Sequence, residues 1–189
     1  MLTILLGYLI VCSFFIVERR VRVGQQAVDL ERGPADRGST ALIGGAFGLT
    51  VLSVLAAPLL NGAGIGNIAW NLLGWVGVIL AFVGVSLRIW AAKTLGRFYT
   101  RTLRILNEHS IVQEGPYQRI RHPGYLGAIV MWIGAALATL NWIAVVITSA
   151  VMLTSYYYRI RVEEEMLMAS NAAYREYQAR TWRLVPYLY

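Results

Sequence analysis

The sequence predicts an all-α integral membrane protein with about five transmembrane helices. Two observations support this fold class. Of the 189 residues, 57% are hydrophobic and only 14% are charged, which is too apolar for an ordinary soluble domain. The apolar residues also form runs, and a helix needs ~20 of them, with a range of roughly 17–25, to cross the hydrocarbon core of a bilayer. The runs that we interpret as spans are 2–17, 40–60, 68–92, 125–140 and 142–158.

The first run also has the composition of a secretory signal peptide. Its basic residues, Arg19 and Arg20, follow the apolar stretch, and no small-residue cleavage site comes before them, so we favour an uncleaved helix. Ser39 is predicted to cap the second helix. The second and third runs are long enough to span, whereas the first, fourth and fifth are marginal. Only Asn141 separates the last two, which predicts a tight helical hairpin.

Basic residues occur only in alternate connections of the predicted bundle. They lie at 19–37, at 93–121 and after 159, whereas the connections at 61–67 and 141 have none. The positive-inside rule therefore predicts an amino terminus outside, with the loop before the fourth helix and the carboxyl-terminal helix in the cytoplasm. The formal net charge is +7, and because the excess lies beside the membrane we expect contact with anionic headgroups and no nucleic acid.

Two polar blocks interrupt the apolar sequence, 109–127 (HSIVQEGPYQRIRHPGYLG) and 159–165 (RIRVEEE). The predicted topology puts both on one face of the membrane, and a site built from both is the central hypothesis. Pro123 predicts a helix start whose first N–H groups are unpaired and can bind a carboxylate or a ribose hydroxyl. For Glu163, Glu164 and Glu165 the alternative is a solvated helix face.

Three further residues have competing interpretations. Arg88, near the end of the third run, either snorkels to the headgroups or lines a polar cavity. His109 and His122 are the two histidines of the chain, and a metal site needs three or four converging ligands. We therefore predict no metal.

The ordered motifs of the second half resemble one family. They are Leu95-Gly96-Arg97, His109-Ser110-Ile111-Val112, Gly115-Pro116-Tyr117, Arg121-His122-Pro123-Gly124-Tyr125, Gly127, Arg159, Glu163-Glu164, Leu167, Tyr174, Tyr177 and Arg183-Leu184-Val185-Pro186. Together they resemble the isoprenylcysteine carboxyl methyltransferases, which are related to the phospholipid N-methyltransferases. The resemblance covers roughly residues 86–186, and we expect a bacterial or archaeal-type member in a prokaryotic inner membrane.

This resemblance implies methyl transfer from S-adenosyl-L-methionine to a lipophilic acceptor, such as a membrane lipid or a prenylated small molecule. It implies acceptor positioning by Arg159 and a place at the reacting centre for Glu164. The residues expected to bind the cofactor are His109, Val112, Gly115, Tyr117, Arg121, His122, Pro123, Tyr125 and Glu163. Residues 1–92 would form a three-span region that selects the acceptor, and residues 93–189 the methyltransferase core.

The expected reaction is in-line displacement at the sulfonium methyl, most simply by an isoprenylcysteine-like carboxylate, which needs no base. A phenol or an amine would need one, for which Glu164 and His122 are the candidates. Acceptors that stay open are a phospholipid amine, a phenolic lipid and a small thiol. A non-enzymatic membrane scaffold is the alternative from another class. The sequence leaves the oligomeric state open.

Overall fold

The computed structural model describes residues 1–21, 36–96, 111–170 and 173–188, which are almost entirely helical. Long apolar segments become helices because, away from water, a helix satisfies its own backbone hydrogen bonds. The α-helices of the described ranges are α1 (Leu2–Val21), α2 (Ser39–Gly62), α3 (Asn71–Leu95), α4 (Pro123–Ala138), α5 (Trp142–Ser170) and α6 (Ala173–Arg180). A short 3-10 turn, Gly115–Gln118, precedes α4.

Four of these helices, α1, α2, α3 and α5, are long and apolar enough to cross a membrane. The all-α membrane class predicted from composition is therefore confirmed. Helix α4 is apolar but has 16 residues, and at ~1.5 Å per residue it is shorter than a hydrocarbon core of ~30 Å. A count of about five spans stays a prediction that depends on α4.

Helix α5 departs most from its predicted boundaries. The apolar run ends at Tyr158, whereas the helix continues to Ser170. The second polar block therefore lies on the same rigid helix as the apolar span, with Arg159 and Glu164 buried and Glu165 exposed. Hydropathy does not mark this continuation, because Arg and Glu are good helix formers that simply lower the local average.

Helices α3 and α4 pack backbone to backbone along a row of glycines. A Cβ on Gly84 would lie 2.6 Å from the carbonyl oxygen of Gly127, and one on Gly77 would lie 2.7 Å from that of Gly134. Both separations are well inside van der Waals contact, so these positions exclude any side chain. Small residues at this kind of interface let membrane helices approach closely. The close approach fixes the start of α4 against the end of α3.

The hairpin between α4 and α5 is held by neutral amides. Asn141 donates from Nδ2 to Oδ1 of Asn61 and to the carbonyl of Ile65, both at 2.8 Å, and its Oδ1 accepts from the N–H of Ala144 at 3.1 Å. Asn141 is fully buried and caps α5, since its side chain accepts from the third residue of the helix. The predicted hairpin at Asn141 is confirmed.

Candidate active site

At the opposite end of the bundle, four separate segments bring ionisable side chains together. They are the start of α2, residues 119–125 before and within α4, the end of α5, and residues 178–183 at the end of α6 and just after it. The two polar blocks of the sequence do meet here, as their predicted common face required. Two further segments take part in the same cluster, the start of α2 in the amino-terminal half and the tail at residues 178–183.

Arg159 lies at the centre of the first group of contacts. Its Nη1 donates to Asp36 Oδ1 at 3.1 Å, to Ser39 Oγ at 2.8 Å and to Thr40 Oγ1 at 2.9 Å. Its Nε donates to the Tyr125 hydroxyl at 3.2 Å. Arg159 is 5% exposed and Asp36 is 1% exposed, so this is a buried ion pair between the amino-terminal half and α5.

The prediction that Ser39 caps α2 was wrong, because the side chain that accepts from the first turn of the helix is that of Asp36. Gly38, with φ 78°, occupies the N-cap position, and Ser39 is already helical. The Asp36 carboxylate accepts from the Thr40 N–H at 3.3 Å and from its hydroxyl at 2.6 Å. Burial raises the pKa of Asp36, but the hydrogen bonds from Thr40 and Ser39 and the charge of Arg159 outweigh burial, so the pKa is lowered.

Tyr125 connects Arg159 to Glu163 and His122. Its hydroxyl donates to Glu163 Oε2 at 2.6 Å, and its ring is parallel to the His122 ring, with centroids 5.4 Å apart. The His122 Nδ1 lies 3.8 Å from Glu163 Oε2. The Glu163 side chain is 23% exposed, so a partly accessible carboxylate stands beside two aromatic rings. This combination suits a ligand with a cationic group and a flat ring.

Glu164 is 2% exposed and lies beside the other ring nitrogen of His122. Its Oε1 accepts from Arg121 Nε at 2.8 Å and lies 3.3 Å from His122 Nε2, while its Oε2 accepts from Arg183 Nε at 2.8 Å. Charged donors on both oxygens compensate the loss of hydration that burial causes. Glu164 therefore joins the loop, α5 and the tail at one point.

The end of α6 and the tail after it complete the site, which the sequence did not predict. Arg121 donates from Nη1 to the carbonyls of Gln178, at 3.0 Å, and Thr181. The backbone N–H groups of Arg121 and His122 donate to the carbonyls of Trp182 and Arg183 at 2.7 and 3.1 Å. The N–H of Trp182 donates in turn to the Arg119 carbonyl at 2.9 Å, so Ile120 and Trp182 form a parallel bridge between the loop and the tail.

The prediction that the first N–H groups of α4 are free is therefore mostly wrong. Pro123 is the first helical residue, as predicted. However, the His122 N–H is bonded to the tail, and the N–H groups of Tyr125 and Leu126 donate to the His122 carbonyl at 3.1 Å. The Pro123 helix start thus orients His122 and Tyr125 rather than offering a row of free donors.

The other residues predicted for the cofactor lie at varying distances from this cluster. Tyr117 is buried, and its carbonyl accepts from the Tyr177 hydroxyl at 2.7 Å. Burial raises the pKa of Tyr177 to about 12, against the opposing charge of Arg121, so this hydroxyl is a neutral donor. Gly115 has φ 53°, which favours glycine, and Val112 is half-buried. His109 lies outside the described residues.

Arg88 on α3 binds the backbone of the segment that carries His122 and Tyr125. The interpretation that it snorkels to the headgroups was wrong. Its Nε and Nη2 donate to the two carboxylate oxygens of Glu18 at 3.0 and 2.7 Å, and its Nη1 donates to the Gly124 carbonyl at 2.9 Å. Arg88 is 7% exposed. Gly124 lies between His122 and Tyr125, so the bond fixes the backbone that carries both rings. Glu18 gave no sequence signal beyond its place directly after an apolar run.

Two comparisons define the class of protein. The fold matches a solved structure described as the eukaryotic intramembrane Ras methyltransferase isoprenylcysteine carboxyl methyltransferase, with a TM-score of 0.65 and 22% identity, over 93% of this chain and 62% of that one. This likeness supports the membrane-helix fold. The family model described as the isoprenylcysteine carboxyl methyltransferase family matches residues 76–169, about half of the chain.

Curated relatives agree with the family model. The protein-S-isoprenylcysteine O-methyltransferase of Saccharomyces cerevisiae is 32% identical over 125 residues, 65% of this chain and 52% of that protein. Form B from Arabidopsis thaliana is 32% identical over 59% of this chain and 58% of its own length. The chain belongs to the isoprenylcysteine carboxyl methyltransferase family, as its motifs predicted.

The rice relative, a probable protein-S-isoprenylcysteine O-methyltransferase, is 29% identical and is matched over 62% of its length. The chain therefore spans between half and about three fifths of these relatives. All three are eukaryotic, so they give no support to the expected bacterial or archaeal type. The family match includes Arg88, residues 121–125 and Arg159 to Glu164, but it excludes Asp36 and Arg183.

Proposed function

We propose that this protein is a membrane methyltransferase that uses S-adenosyl-L-methionine to O-methylate a carboxylate on a lipophilic, isoprenylcysteine-like acceptor. The observation that carries the proposal is the hydrogen-bonded contact among Tyr125, Arg159 and Glu163, inside the family-matched region. A cation, a phenol and a carboxylate within one hydrogen-bonded chain can hold two oppositely charged reactants side by side. The membrane helices supply a path for a lipophilic acceptor.

The donor set at His122, Tyr125 and Glu163 fits the proposed cofactor. Glu163 is accessible enough to pair with an ammonium group, and the partly exposed ring of Tyr125, parallel to the buried ring of His122, provides an aromatic surface. When bound, the cofactor supplies an activated methyl group on a sulfonium. Because that group is already activated, the task of the protein is to align the reactants and to exclude water.

In this proposal Arg159 positions the acceptor carboxylate, because a guanidinium offers a planar fork of donors. Glu164 acts at the reacting centre through its charge: it holds His122 and Arg121 in place, with both of its oxygens already engaged. Val112, Gly115 and Tyr117 would form the wall of the cofactor pocket, together with His109. Residues 1–92 would select the acceptor, and residues 93–189 would carry out the transfer.

The test compares two neighbouring arginines on α5 in protein purified in detergent. Arg159→Lys keeps the charge but loses the fork, so turnover of a farnesylated cysteine acceptor should fall on the order of a hundredfold, while calorimetry still detects cofactor binding. Arg161→Lys is the matched control, because Arg161 is exposed. Equal turnover in all three proteins would contradict the role of Arg159. No cofactor binding by the wild type would favour a scaffold instead.

A second experiment tests the proposed orientation. A reporter fused after residue 189 should be cytoplasmic, and one fused before residue 1 should be extracytoplasmic, because every Lys and Arg lies outside the connections at 61–70 and 139–141. Finding both termini in the cytoplasm would require an even number of spans. In that case α4, the shortest apolar helix of the described ranges, would not cross the membrane.

A further inference from the structure

Asp36 lies in the amino-terminal half, 40 residues before the family match begins, yet it contacts the residue to which the proposed function assigns the acceptor. Its carboxylate is 3.1 Å from Arg159 Nη1, and the two residues are separated by 123 positions in sequence. This contact is the most direct link between the first half of the chain and the candidate site.

The geometry around Arg159 leaves its guanidinium little freedom. Three oxygens from the first turn of α2 and the residues before it surround Nη1, and the Tyr125 hydroxyl accepts from Nε. Asp36 is itself held, since both of its oxygens lie 3.3 Å from the Thr40 N–H. The start of α2 therefore sets both the position and the rotation of the Arg159 plane.

A buried ion pair of this kind contributes little net stability, because desolvation of the two charges offsets their attraction. Its effect is on orientation. A guanidinium held at Nη1 and Nε presents the N–H donors of its Nη2 in a fixed direction. A neighbouring pair shows the contrast. Arg37 and Glu165 also join the start of α2 to α5, at 2.6 Å, but their side chains are 63% and 45% exposed.

We propose that Asp36, with Ser39 and Thr40, is the positioning element that aligns Arg159 with the acceptor. This inference rests on the proposed function and extends it, because it assigns a defined part of the acceptor site to residues outside the family match. The start of α2 then determines where an acceptor head group is held relative to His122 and Tyr125. A change there alters alignment with the acceptor and leaves the cofactor pocket in place.

The experiment measures turnover at saturating cofactor and, separately, cofactor affinity by calorimetry, for the wild type, Asp36→Asn and Arg37→Gln. Asp36→Asn keeps the size of the side chain but releases Arg159, so turnover of the farnesylated cysteine acceptor should fall roughly tenfold to a hundredfold. Cofactor affinity should stay within about twofold, as for independent sites. Arg37→Gln should match the wild type in both measurements.

A double variant shows whether the effect passes through Arg159. If it does, Asp36→Asn should reduce turnover by a much smaller factor in an Arg159→Lys background than in the wild type, because the guanidinium fork is already lost there. If Asp36→Asn does not fold, Ser39→Ala removes a single contact with Nη1 and should reduce turnover in the same selective way.

Two outcomes would overturn the inference while leaving the proposed function intact. One is that Asp36→Asn turns over the acceptor as fast as the wild type does. The other is that Asp36→Asn lowers turnover by the same factor in the wild type and in the Arg159→Lys background. A parallel loss of cofactor affinity would assign Asp36 to the cofactor pocket or to the fold. A wild type that binds cofactor but methylates neither this acceptor nor a lipid extract would reject the proposed function, and this inference with it.

Discussion

The two ends of the helix bundle are fastened in opposite ways. At one end, Asn61 and Asn141 join α2 to the α4–α5 hairpin through neutral amides, and the connections at 61–70 and 139–141 contain no charged residue. At the other end, Asp36–Arg159 and Glu164–Arg121 are buried ion pairs. Neutral hydrogen bonds hold a fold without perturbing the electrostatics around them. Buried charges hold it less efficiently, but they can also bind and orient charged ligands.

This contrast explains why the charged end is the candidate site. A buried ion pair is often no more stabilising than well-packed apolar residues, so the concentration of such pairs at one end calls for a functional reason. The amide end has no comparable surplus. It completes the hydrogen bonds of the hairpin and caps α5. Substitutions at the two ends should therefore separate effects on stability from effects on turnover.

The largest expected effect is at Glu164. Glu164→Gln leaves Arg121 and Arg183 facing a neutral side chain in a buried site, and removing one partner of such a pair costs roughly 3–5 kcal/mol. Chemical unfolding in detergent should show this loss, together with a fall in turnover. The exposed neighbour gives the control: Glu165→Gln should change the unfolding free energy by no more than about 0.5 kcal/mol. Equal stability of both variants would show that the Glu164 contacts are weak.

The next largest effect comes from a matched pair of glycine substitutions, which should distinguish the two ends by their effect on cofactor binding. Gly77→Ala and Gly127→Ala each put a Cβ against backbone of the partner helix, 2.7 Å from Gly134 O and from Arg88 N respectively. Overpacking of this kind costs about 1–3 kcal/mol, so both should unfold more easily. Only Gly127→Ala should also weaken cofactor binding, because it displaces the segment that holds Gly124. Equal cofactor affinity in the two variants would argue against that coupling.

Asn141→Ala tests the amide end alone. It removes the cap of α5 and the bonds to Asn61 and Ile65, and losing a cap of this kind costs about 0.5–2 kcal/mol. We expect a lower thermal midpoint with turnover per folded molecule unchanged. A loss of turnover in the folded fraction would mean that the two ends are coupled through the helices.

The smallest effect concerns pH. The pKa of Asp36 is lowered in the folded protein, so the stabilisation that it contributes is complete above the ordinary Asp value of ~3.9 and is lost as pH falls through the lowered one. Thermal midpoints of the wild type and Asp36→Asn should therefore differ at neutral pH and converge as the solution is acidified. A constant difference between the two would contradict the shift.

The site shows both the reach and the limit of sequence reasoning. The sequence predicts that the motif around His122, Pro123 and Tyr125 and the block from Arg159 to Glu164 lie on one face, and the structure brings them together. Asp36 and Glu18 were missed, because each is an ordinary charged residue beside a helix end. Arg183 belongs to a motif of the resemblance, but its contact with Glu164 was not predicted. Their roles in catalysis and cofactor binding, like those of the predicted site residues, stay proposals that the experiments above address.

The sequence by itself determined the class of protein, the order of its helices and the end of the bundle that carries charge. Hydropathy and charge are sums over neighbouring residues, so they can be read along the chain. Only the tertiary structure decided which partner each buried charge takes, because Glu18 and Arg88 are 70 residues apart and Asp36 and Arg159 are 123 apart. The close packing of α3 on α4 and the length of α5 bring these ion pairs into contact. A buried charge needs its partner within a few ångströms, and distance along the chain contains no information about that separation.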